Sequence, residues 1–287
     1  MKKYTIRDLQ TQFPTNNACL DWLMKYFYPD GVSCKKCQKV TKHYRIKSRQ
    51  SYSCDVCGNH VHPTADTIFH KSTTPLALWF YAIYLMTTTR AGISAKQLQR
   101  ELGVTYKTAW RMFHQIRKMM SDDPTPLKGD VEVDETYIGG KGMNRRFVPS
   151  FSEKPKAVIM GMVQRGGKAK VRHVQSSGTR SLLPQIQKNV ELNTQIYSDQ
   201  WGAYETLPRL GYRHLSINHK ETYVNYNIHT QNVENLWSHI KRGITGVYRH
   251  VDPKYLQAYV DEYAFRYSNR MSHQPMFLIL MNRVQKD

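Results

Sequence analysis

Two closely spaced cysteine pairs constrain this chain more than any other feature of its sequence. Cys34 and Cys37 are separated by two residues, and after sixteen further residues Cys54 and Cys57 repeat that spacing. Two residues between ligands let one tight turn direct two thiolates at one ion, and a second such turn completes a tetrahedron. The spacing therefore predicts a zinc ribbon. Four thiolates close the coordination shell, so the ion is expected to be structural rather than catalytic.

Other residues near these cysteines are weaker candidates for ligands. His60 and His62 are rivals by position, but four thiolates leave them spare. Cys19 stands apart from both pairs and is typical of a small buried hydrophobic residue. Gly58 follows the second pair, where a backbone with positive φ would be easy. The alternating, aromatic stretch 42–52 favours a small β-hairpin.

The charge balance points to a polyanionic partner. The chain has 287 residues and a formal net charge of +20, of which +12 falls within residues 1–128. A compact protein tolerates such self-repulsion most easily when it binds nucleic acid, although a well-solvated basic surface is the alternative. No signal peptide opens the chain, and the apolar stretch Leu76–Met86 is too short to cross a bilayer and predicts a buried helix. We therefore expect a soluble intracellular protein with no membrane partner.

The pattern along the chain predicts a multi-domain α+β protein. A helix-turn-helix is expected after the ribbon, because Ser94 can cap a helix over 96–102, Gly103 supplies a turn, and Lys107–Met120 forms a longer helix. The apolar residues of the longer helix share one face: Ala109, Met112, Phe113, Ile116, Met119 and Met120. Two helices around a glycine also occur in ordinary bundles, so the charge and the ribbon carry part of this prediction.

The helix-turn-helix assigns DNA contacts to particular residues. Base edges are met by the start of the second helix in such folds, and phosphates by basic residues nearby. The predicted base-contacting residues are Tyr106, Lys107, Thr108 and Arg111. The predicted phosphate-contacting residues are Arg117 and Lys118.

From Gly129 onward the pattern predicts an α/β domain with a mixed sheet. Strands are expected at 131–134, 157–163, 170–174 and 195–198, and helices at 180–190, 229–241 and 253–270. The predicted domains are a helical lead-in at 1–30, the zinc ribbon at 31–70, the helix-turn-helix at 71–121, a linker at 122–128 and the catalytic domain at 129–287.

Three carboxylates in this last domain are candidate metal ligands. Asp134 lies on a predicted strand, Asp199 ends another, and Glu234 lies on a helix with Lys241 two turns later on the same face. Carboxylates converging from separate elements can hold two Mg²⁺ ions for phosphoryl displacement, with a lysine placed to meet a DNA phosphate. Spacing alone does not select this trio over four other acids: Glu132, Glu135, Asp261 and Glu262.

Longer motifs resemble one known family. The strings VDETYIGGK at 133–141, SDxWxAY at 198–204 and HTQxVENxWSxxKRG at 229–243 resemble the three motifs of the bacterial insertion-sequence transposases related to eukaryotic Merlin elements. The tail YVDEYAFRY at 259–267 also resembles theirs. That group carries a four-cysteine ribbon and a helix-turn-helix, so the resemblance covers nearly the whole chain. The stretch 141–149 is shorter than the resemblance implies, which leaves its loop contacts open.

The resemblance implies a DDE transposase with an RNase H-like catalytic domain that depends on Mg²⁺ or Mn²⁺. It implies that Asp134, Asp199 and Glu234 bind the metal, with Lys241 as the associated basic residue and His229 as an active-site neighbour. Arg242 is assigned to DNA binding. The expected partners are double-stranded DNA, as element terminal repeats and target, and further copies of the chain in a dimer or larger complex.

Two alternatives to an active transposase stay open at this point. One is a catalytically silent, domesticated transposase that acts as a sequence-specific DNA-binding protein, although all three acids are present. The other is a general nuclease of similar fold, which the DNA-reading front end disfavours. The expected location is the cytoplasm, associated with the nucleoid, in a bacterium, or the nucleus in a eukaryote.

Overall fold

The computed structural model describes residues 4–121, 124–139, 156–217 and 228–286. The chain divides into two compact units. Unit 1 comprises Met1–Arg90, Ala95–Met119 and His273–Asp287, and unit 2 comprises Ala91–Ser94 and Met120–Ser272. The stretch 141–149 and residues 122–123 of the predicted linker lie outside the described residues.

Unit 1 begins with two helices and the predicted ribbon. Helix α1 (Ile6–Gln12) starts with a capping box in which Thr5 and Asp8 exchange hydrogen bonds, and α2 (Asn16–Phe27) follows. Five short strands build two antiparallel sheets, which are β1 (Val32–Cys34) with β2 (Lys39–Thr41), and β3 (His43–Arg45) with β4 (Tyr52–Cys54) and β5 (His60–Val61). The β3–β4 pair confirms the hairpin predicted between residues 42 and 52.

Three further helices of unit 1 include the predicted helix-turn-helix. They are α3 (Leu76–Thr88), α4 (Ala95–Leu102) and α5 (Tyr106–Met119). Gly103 turns the chain between α4 and α5 with a φ of +62°, a conformation that glycine adopts without strain. All six residues of the predicted apolar face of the second helix are buried, as is most of α3.

The last residues of the chain pack in unit 1, not in the catalytic domain where the sequence pattern placed them. Helix α9 (Met276–Met281) was not predicted, and its Phe277 stacks on Tyr4 with ring centroids 4.6 Å apart and packs edge-on against Phe13. Tyr26 donates a hydrogen bond to the carbonyl of Asn282, 2.6 Å away. These ring contacts and this hydrogen bond fix α9 and Asn282 to the helical lead-in.

Unit 2 is built on a five-stranded mixed sheet. Its strands are β6 (Asp130–Ile138), β7 (Ala157–Gln164), β8 (Ala169–Val174), β9 (Gln195–Asp199) and β10 (Arg213–Ile217). The spatial order is β10-β9-β6-β7-β8. Strand β7 is antiparallel to both β6 and β8, whereas β9 is parallel to both β6 and β10. The sequence pattern predicted all of these strands except β10, which alternates weakly and has a mostly exposed face.

Helices cover both faces of this sheet. Alternate residues of β6 point to opposite faces and so contribute to two separate hydrophobic cores. Val131 and Val133 join the core beneath α6 (Thr179–Asn189). Ile138 joins the second core, which lies beneath α7 (Gln231–Gly243) and α8 (Pro253–Ser268). The first core also contains Leu127, which was predicted to lie in the linker.

Leu127 is fully buried and pairs its backbone with Asn189 and Glu191. The compact fold of unit 2 therefore starts before the predicted boundary at residue 129. Within the described residues, no helix has both the length and the apolar character that a membrane crossing requires.

Candidate active site and zinc centre

The four paired cysteines meet at one point in unit 1. Their sulfur atoms all lie within 4.8 Å of one another, with Cys34 and Cys57 3.6 Å apart and Cys37 and Cys54 3.9 Å apart. Four sulfurs at about 2.3 Å from a tetrahedral zinc ion would be about 3.8 Å from one another, so the cluster has the size that zinc requires. The four-thiolate ribbon is thus a structural zinc centre, as predicted.

Both cysteine turns have the same backbone form. The amide of Gln38 donates to the carbonyl of Cys34, and the amide of Gly58 donates to the carbonyl of Cys54. Gln38 and Gly58 both have positive φ, at 56° and 71°. The prediction for Gly58 is confirmed. Gln38 adopts the same left-handed backbone conformation, which residues other than glycine and asparagine rarely take.

The shifted pKa values of the cysteines are consistent with a cation bound between the four sulfurs. A contact 3.2 Å from the hydroxyl of Thr41 lowers the pKa of Cys54 to about 6. A hydrogen bond from Cys37 to Cys57, with burial, raises the pKa of Cys37 to about 12. Four thiolates cannot share this space at neutral pH without a positive ion between them.

The three predicted acids lie on three elements of unit 2. Asp134 is in the middle of β6, Asp199 ends the neighbouring strand β9, and Glu234 lies in the first turn of α7. Burial, together with the negative charges of Asp199 and Glu234, raises the pKa of Asp134 to about 6. Glu132 of β6 pairs with Tyr197 of β9, and Trp237 of α7 donates a hydrogen bond to Asp134, so the three elements that carry the acids adjoin one another.

The ligand atoms of these acids are more widely spaced than those of the cysteines. Within the described part of the chain, the cysteine cluster is the one group of three or more potential ligands whose atoms all lie within 4.8 Å of one another. The acids share an electrostatic environment but do not form a closed single-ion cage.

An indole ring holds the carboxylate of Asp134 in place. Trp237, one turn beyond Glu234 on α7, donates from Nε1 to Oδ2 of Asp134 at 2.7 Å. Gly161 of β7 pairs with Asp134, and a Cβ atom there would come within 2.6 Å of the indole. The glycine therefore makes room for the ring that orients the acid.

The four rival acids have other partners. Glu135 points to the opposite face of β6, where it accepts a hydrogen bond from Tyr204 at 2.6 Å, and burial raises its pKa to about 7. On α8, Asp261 accepts a hydrogen bond from Gln257, and Glu262 pairs with Arg266 at 2.8 Å.

Glu132, the fourth rival, has a structural role that the sequence did not predict. It is fully buried and accepts hydrogen bonds from the backbone amides of Asn232 and Val233 at the start of α7. His229 was predicted to neighbour the active site, and its Nδ1 lies 3.1 Å from Oε1 of Glu132. The signal in the sequence was a glutamate on the same face of the predicted strand as Asp134, two residues before it.

The basic residues of α7 are exposed. Lys241 lies two turns from Glu234 on the same helix, and both side chains are exposed. The guanidinium group of Arg242 is fixed to Ser238 by two hydrogen bonds.

The predicted base-contacting residues lie at the start of α5. Tyr106, Lys107 and Arg111 are exposed and Thr108 is half-buried, and the hydroxyl of Thr105 accepts a hydrogen bond from the amide of Thr108. Arg111 donates to the carbonyl of His70 at 3.2 Å, which anchors the side chain at the helix surface.

Of the two predicted phosphate contacts, Lys118 is exposed and Arg117 is not. Only 1% of Arg117 is exposed, and its guanidinium group lies over the ring of Phe113, 3.5 Å from the centroid. The prediction for Arg117 is wrong, because this side chain faces the interior of unit 1 together with the apolar face of α5.

Two exposed aromatic rings lie near the ends of β6 and β9. Tyr137 of β6 is 51% exposed, and Trp201, two residues after Asp199, is 48% exposed. The hydroxyl of Tyr137 lies 3.0 Å from Oγ of Ser177, and the indole nitrogen of Trp201 donates to the carbonyl of the same serine. The amide of Trp201 donates to Oδ1 of Asp199 at 3.1 Å, so this ring is tied to the acid's position.

Sequence profiles of two known domains match this chain. The ISXO2-like transposase domain matches residues 126–268, and a transposase zinc-ribbon domain matches residues 14–60. Together they cover more than half of the chain and include both sites described above. The chain belongs to the ISXO2-like transposases. The transposase thus combines the predicted α+β fold class, with its zinc ribbon, and an RNase H-like domain built on the mixed sheet of unit 2.

Two curated proteins are similar in sequence. One is described as an uncharacterized protein in the transposable element ISH50 of Halobacterium salinarum, and is 26% identical over 86% of this chain and 90% of its own length. The other is an uncharacterized transposase-like protein of Haemophilus influenzae, which is 26% identical over 34% of this chain and 77% of its own.

Solved structures give only weak similarity. The intasome of simian T-cell lymphotropic virus matches with a TM-score of 0.33 and 14% identity over 67% of this chain and 69% of the other. The Mos1 strand transfer complex matches with a TM-score of 0.23 and 10% identity over 66% and 75%. Scores this low establish no shared fold.

Replacing Cys54 by serine is expected to remove the zinc ion, because three thiolates cannot complete the tetrahedron. Elemental analysis of the purified protein should give one zinc per chain for the wild type and very little for Cys54→Ser. The control is Cys19→Ala, which removes a buried thiol outside the cluster and should keep the full zinc content. Equal zinc in all three proteins would disprove the centre.

Replacing Asp134 by asparagine is expected to stabilise the protein at pH 7.5 when no divalent cation is added. The raised pKa of Asp134 means that the fold favours the neutral carboxyl, so stability is present at low pH and lost as the pH rises through about 6. The shift from 3.8 to about 6 corresponds to roughly 2–3 kcal/mol. Thermal unfolding at pH 7.5 and 4.5 would measure it.

The gain should be present in full at pH 7.5 and fall to roughly a third of that at pH 4.5, because the effect develops between the usual pKa of 3.8 and the folded pKa of about 6. The exposed Glu191→Gln substitution, which removes the same charge elsewhere in unit 2, should change the midpoint little at either pH. A destabilised Asp134→Asn protein at pH 7.5 would contradict the conclusion that burial and neighbouring charges disfavour the ionised carboxylate of Asp134.

Proposed function

We propose that this transposase binds the terminal inverted repeats of a mobile element and catalyses metal-dependent strand cleavage and strand transfer. The observation that supports this most is the placement of Asp134, Asp199 and Glu234 on the adjoining elements β6, β9 and α7, where burial and the charges of the other two acids raise the pKa of Asp134. Such repulsion between carboxylates is relieved when divalent cations bind.

The burial of two rival acids favours Asp199 and Glu234 over them as metal ligands. Glu132 and Glu262 are fully buried and are held by hydrogen bonds and ion pairs within unit 2. Asp199 and Glu234 also accept hydrogen bonds, from the amide of Trp201 and the hydroxyl of Thr230, but Asp199 is half-buried and Glu234 is exposed, so ions that arrive from solvent can reach them.

The spacing of the acids fits two ions better than one. Mg²⁺ binds oxygen at about 2.1 Å, and paired catalytic ions lie about 3.5–4 Å apart. Ligands on the outer sides of such a pair can therefore be about 8 Å apart. When bound, the ions would activate an attacking oxygen and stabilise the leaving one; Mg²⁺ or Mn²⁺ suits carboxylate ligands.

The residues around the acids have separate tasks in this proposal. Trp237 fixes one oxygen of Asp134 through the indole hydrogen bond and so orients the carboxylate for binding the ions. Lys241 meets a DNA phosphate near the scissile bond, and Arg242 and Lys118 meet phosphates farther away. The open faces of Tyr137 and Trp201 offer flat surfaces on which bases can stack.

The helix-turn-helix supplies the sequence preference. The exposed start of α5 enters the major groove, with Tyr106, Lys107, Thr108 and Arg111 towards the base edges. Joining two element ends requires two active sites held together, so the active form is a dimer or larger assembly on DNA. A monomeric complex with paired ends on sizing would contradict that assembly.

Substituting Asp134→Asn or Asp199→Asn should reduce cleavage of element ends by roughly a thousandfold or more, as when a group that stabilises transition-state charge is removed. Binding of the ends should change by less than about threefold, since these acids are remote in sequence from the helix-turn-helix and a lost carboxylate reduces repulsion of DNA. New 3′ ends in Mg²⁺ measure cleavage, and band shifts measure binding.

Glu191→Gln is the control and should cleave normally. Retained cleavage by both asparagine variants would defeat the assignment of the acids. A wild-type protein that binds ends but makes no new 3′ ends would favour a silent DNA-binding protein, and equal cleavage of unrelated DNA would favour a general nuclease.

Two substitutions on α5 should have different effects on DNA binding. Lys107→Ala is expected to cost about 1–3 kcal/mol on element ends and little on unrelated DNA, because a base contact is lost. Lys118→Gln should weaken binding to both DNAs alike and reduce the salt slope by about one, because a phosphate contact is lost. Fluorescence anisotropy over a salt series would measure both.

The exposed Lys188→Gln substitution on α6 removes one positive charge outside unit 1 and should change the preference for element ends little. Equal loss of affinity for both DNAs in Lys107→Ala would refute the base contact.

A further inference from the structure

The start of α7 has an unusual cap. Its N-cap residue, Thr230, makes no side-chain hydrogen bond to the helix amides and instead donates from its hydroxyl to Oε1 of Glu234 at 3.0 Å. The first amides of a helix lack partners within the helix and carry partial positive charge. The cap therefore has to come from another part of the chain.

Glu132 of β6 provides that cap. Its Oε2 accepts from the amides of Asn232 and Val233 at 2.7 and 3.2 Å, and its Oε1 accepts from the side-chain amide of Asn232 at 2.8 Å. A carboxylate accepting helix amides forms strong charge-assisted hydrogen bonds, and this one is fully buried. The contact joins residues one hundred positions apart in the sequence.

A second set of contacts fixes Glu132 from the side. Arg165, just after β7, donates from Nε to Oε1 of Glu132 at 2.9 Å and from a terminal nitrogen to the carbonyl of His229, also at 2.9 Å. The guanidinium group lies 3.9 Å from the ring centroid of Tyr197 on β9. The cap is thus tied to three neighbouring strands and to the residues that precede α7.

This arrangement sets the distance between two candidate metal ligands. Glu132 and Asp134 are two residues apart on one face of β6, while the amides that Glu132 holds precede Glu234 by one and two residues. We propose that Glu132 is a positioning residue: by fixing the start of α7 on β6, it places Glu234 opposite Asp134 for shared metal binding. This inference rests on the proposed function of the acids.

Metal binding gives the direct test. Mn²⁺ would be titrated into the full-length, zinc-loaded protein and followed by electron paramagnetic resonance, and the half-saturating Mn²⁺ concentration for cleavage would be measured alongside. Glu132→Gln keeps the shape of the side chain but puts a donor where an acceptor is needed. It is expected to weaken Mn²⁺ binding about tenfold or more, as is usual for residues that orient metal ligands, with element-end binding unchanged.

Glu262→Gln is the matched control, because Glu262 is equally buried and also paired with an arginine, but it lies on α8. Its Mn²⁺ affinity should stay within about twofold of wild type even if it melts at a lower temperature. Asn232→Ala, which removes one donor to Glu132 and keeps the backbone amides, should give a smaller shift and serves if Glu132→Gln does not fold.

A double-mutant cycle tests whether Glu132 acts through Glu234. In a Glu234→Gln background, adding Glu132→Gln should weaken Mn²⁺ binding less than about twofold further, because the ligand it positions is gone. Full additivity, or wild-type Mn²⁺ affinity in both folded Glu132→Gln and Asn232→Ala, would overturn the inference. Undiminished Mn²⁺ binding by Asp134→Asn would instead refute the proposed function, so the two failures can be distinguished.

Discussion

The central strand β6 is the constraint on which unit 2 depends. It pairs in parallel with β9 and in antiparallel with β7, so its backbone is held from both edges. Its alternating side chains then divide their tasks by face: Val131 and Val133 fill the core under α6, whereas Glu132 and Asp134 face α7. One strand therefore organises the packing, the cap of α7 and the candidate metal site.

The sequence predicts much of this fold because its periodic patterns are strong. The four cysteines, the two helices around Gly103, and every strand of the mixed sheet except β10 follow from spacing and alternation alone. Strand β10 was missed because four of its five side chains are not buried, so hydrophobic alternation does not mark it. Helix α9 was missed because six apolar residues are too few to separate a helix from a strand.

The site was only partly predictable, for a different reason. Spacing could not choose among seven acids, since hydrogen bonds between distant residues decide which carboxylates remain available. Local sequence does not distinguish Glu132 from any other acid on a strand, because its partners Asn232 and Val233 lie about one hundred residues away. Arg117 reads like a surface base on α5, yet its guanidinium group lies buried over Phe113. Helical periodicity places Arg117 beside the buried face of α5, but periodicity alone does not show that the arginine side chain is itself buried there.

The position of α9 affects the order in which the molecule can assemble during synthesis. Unit 1 needs residues 273–287 to cover Tyr4, Phe13 and Tyr26, and these are synthesised after the whole of unit 2. Unit 2 is by then fully translated and can already have folded. A chain that stopped before residue 273 would lack this closing piece of unit 1, so unit 1 can be completed only after the whole of unit 2 has been synthesised.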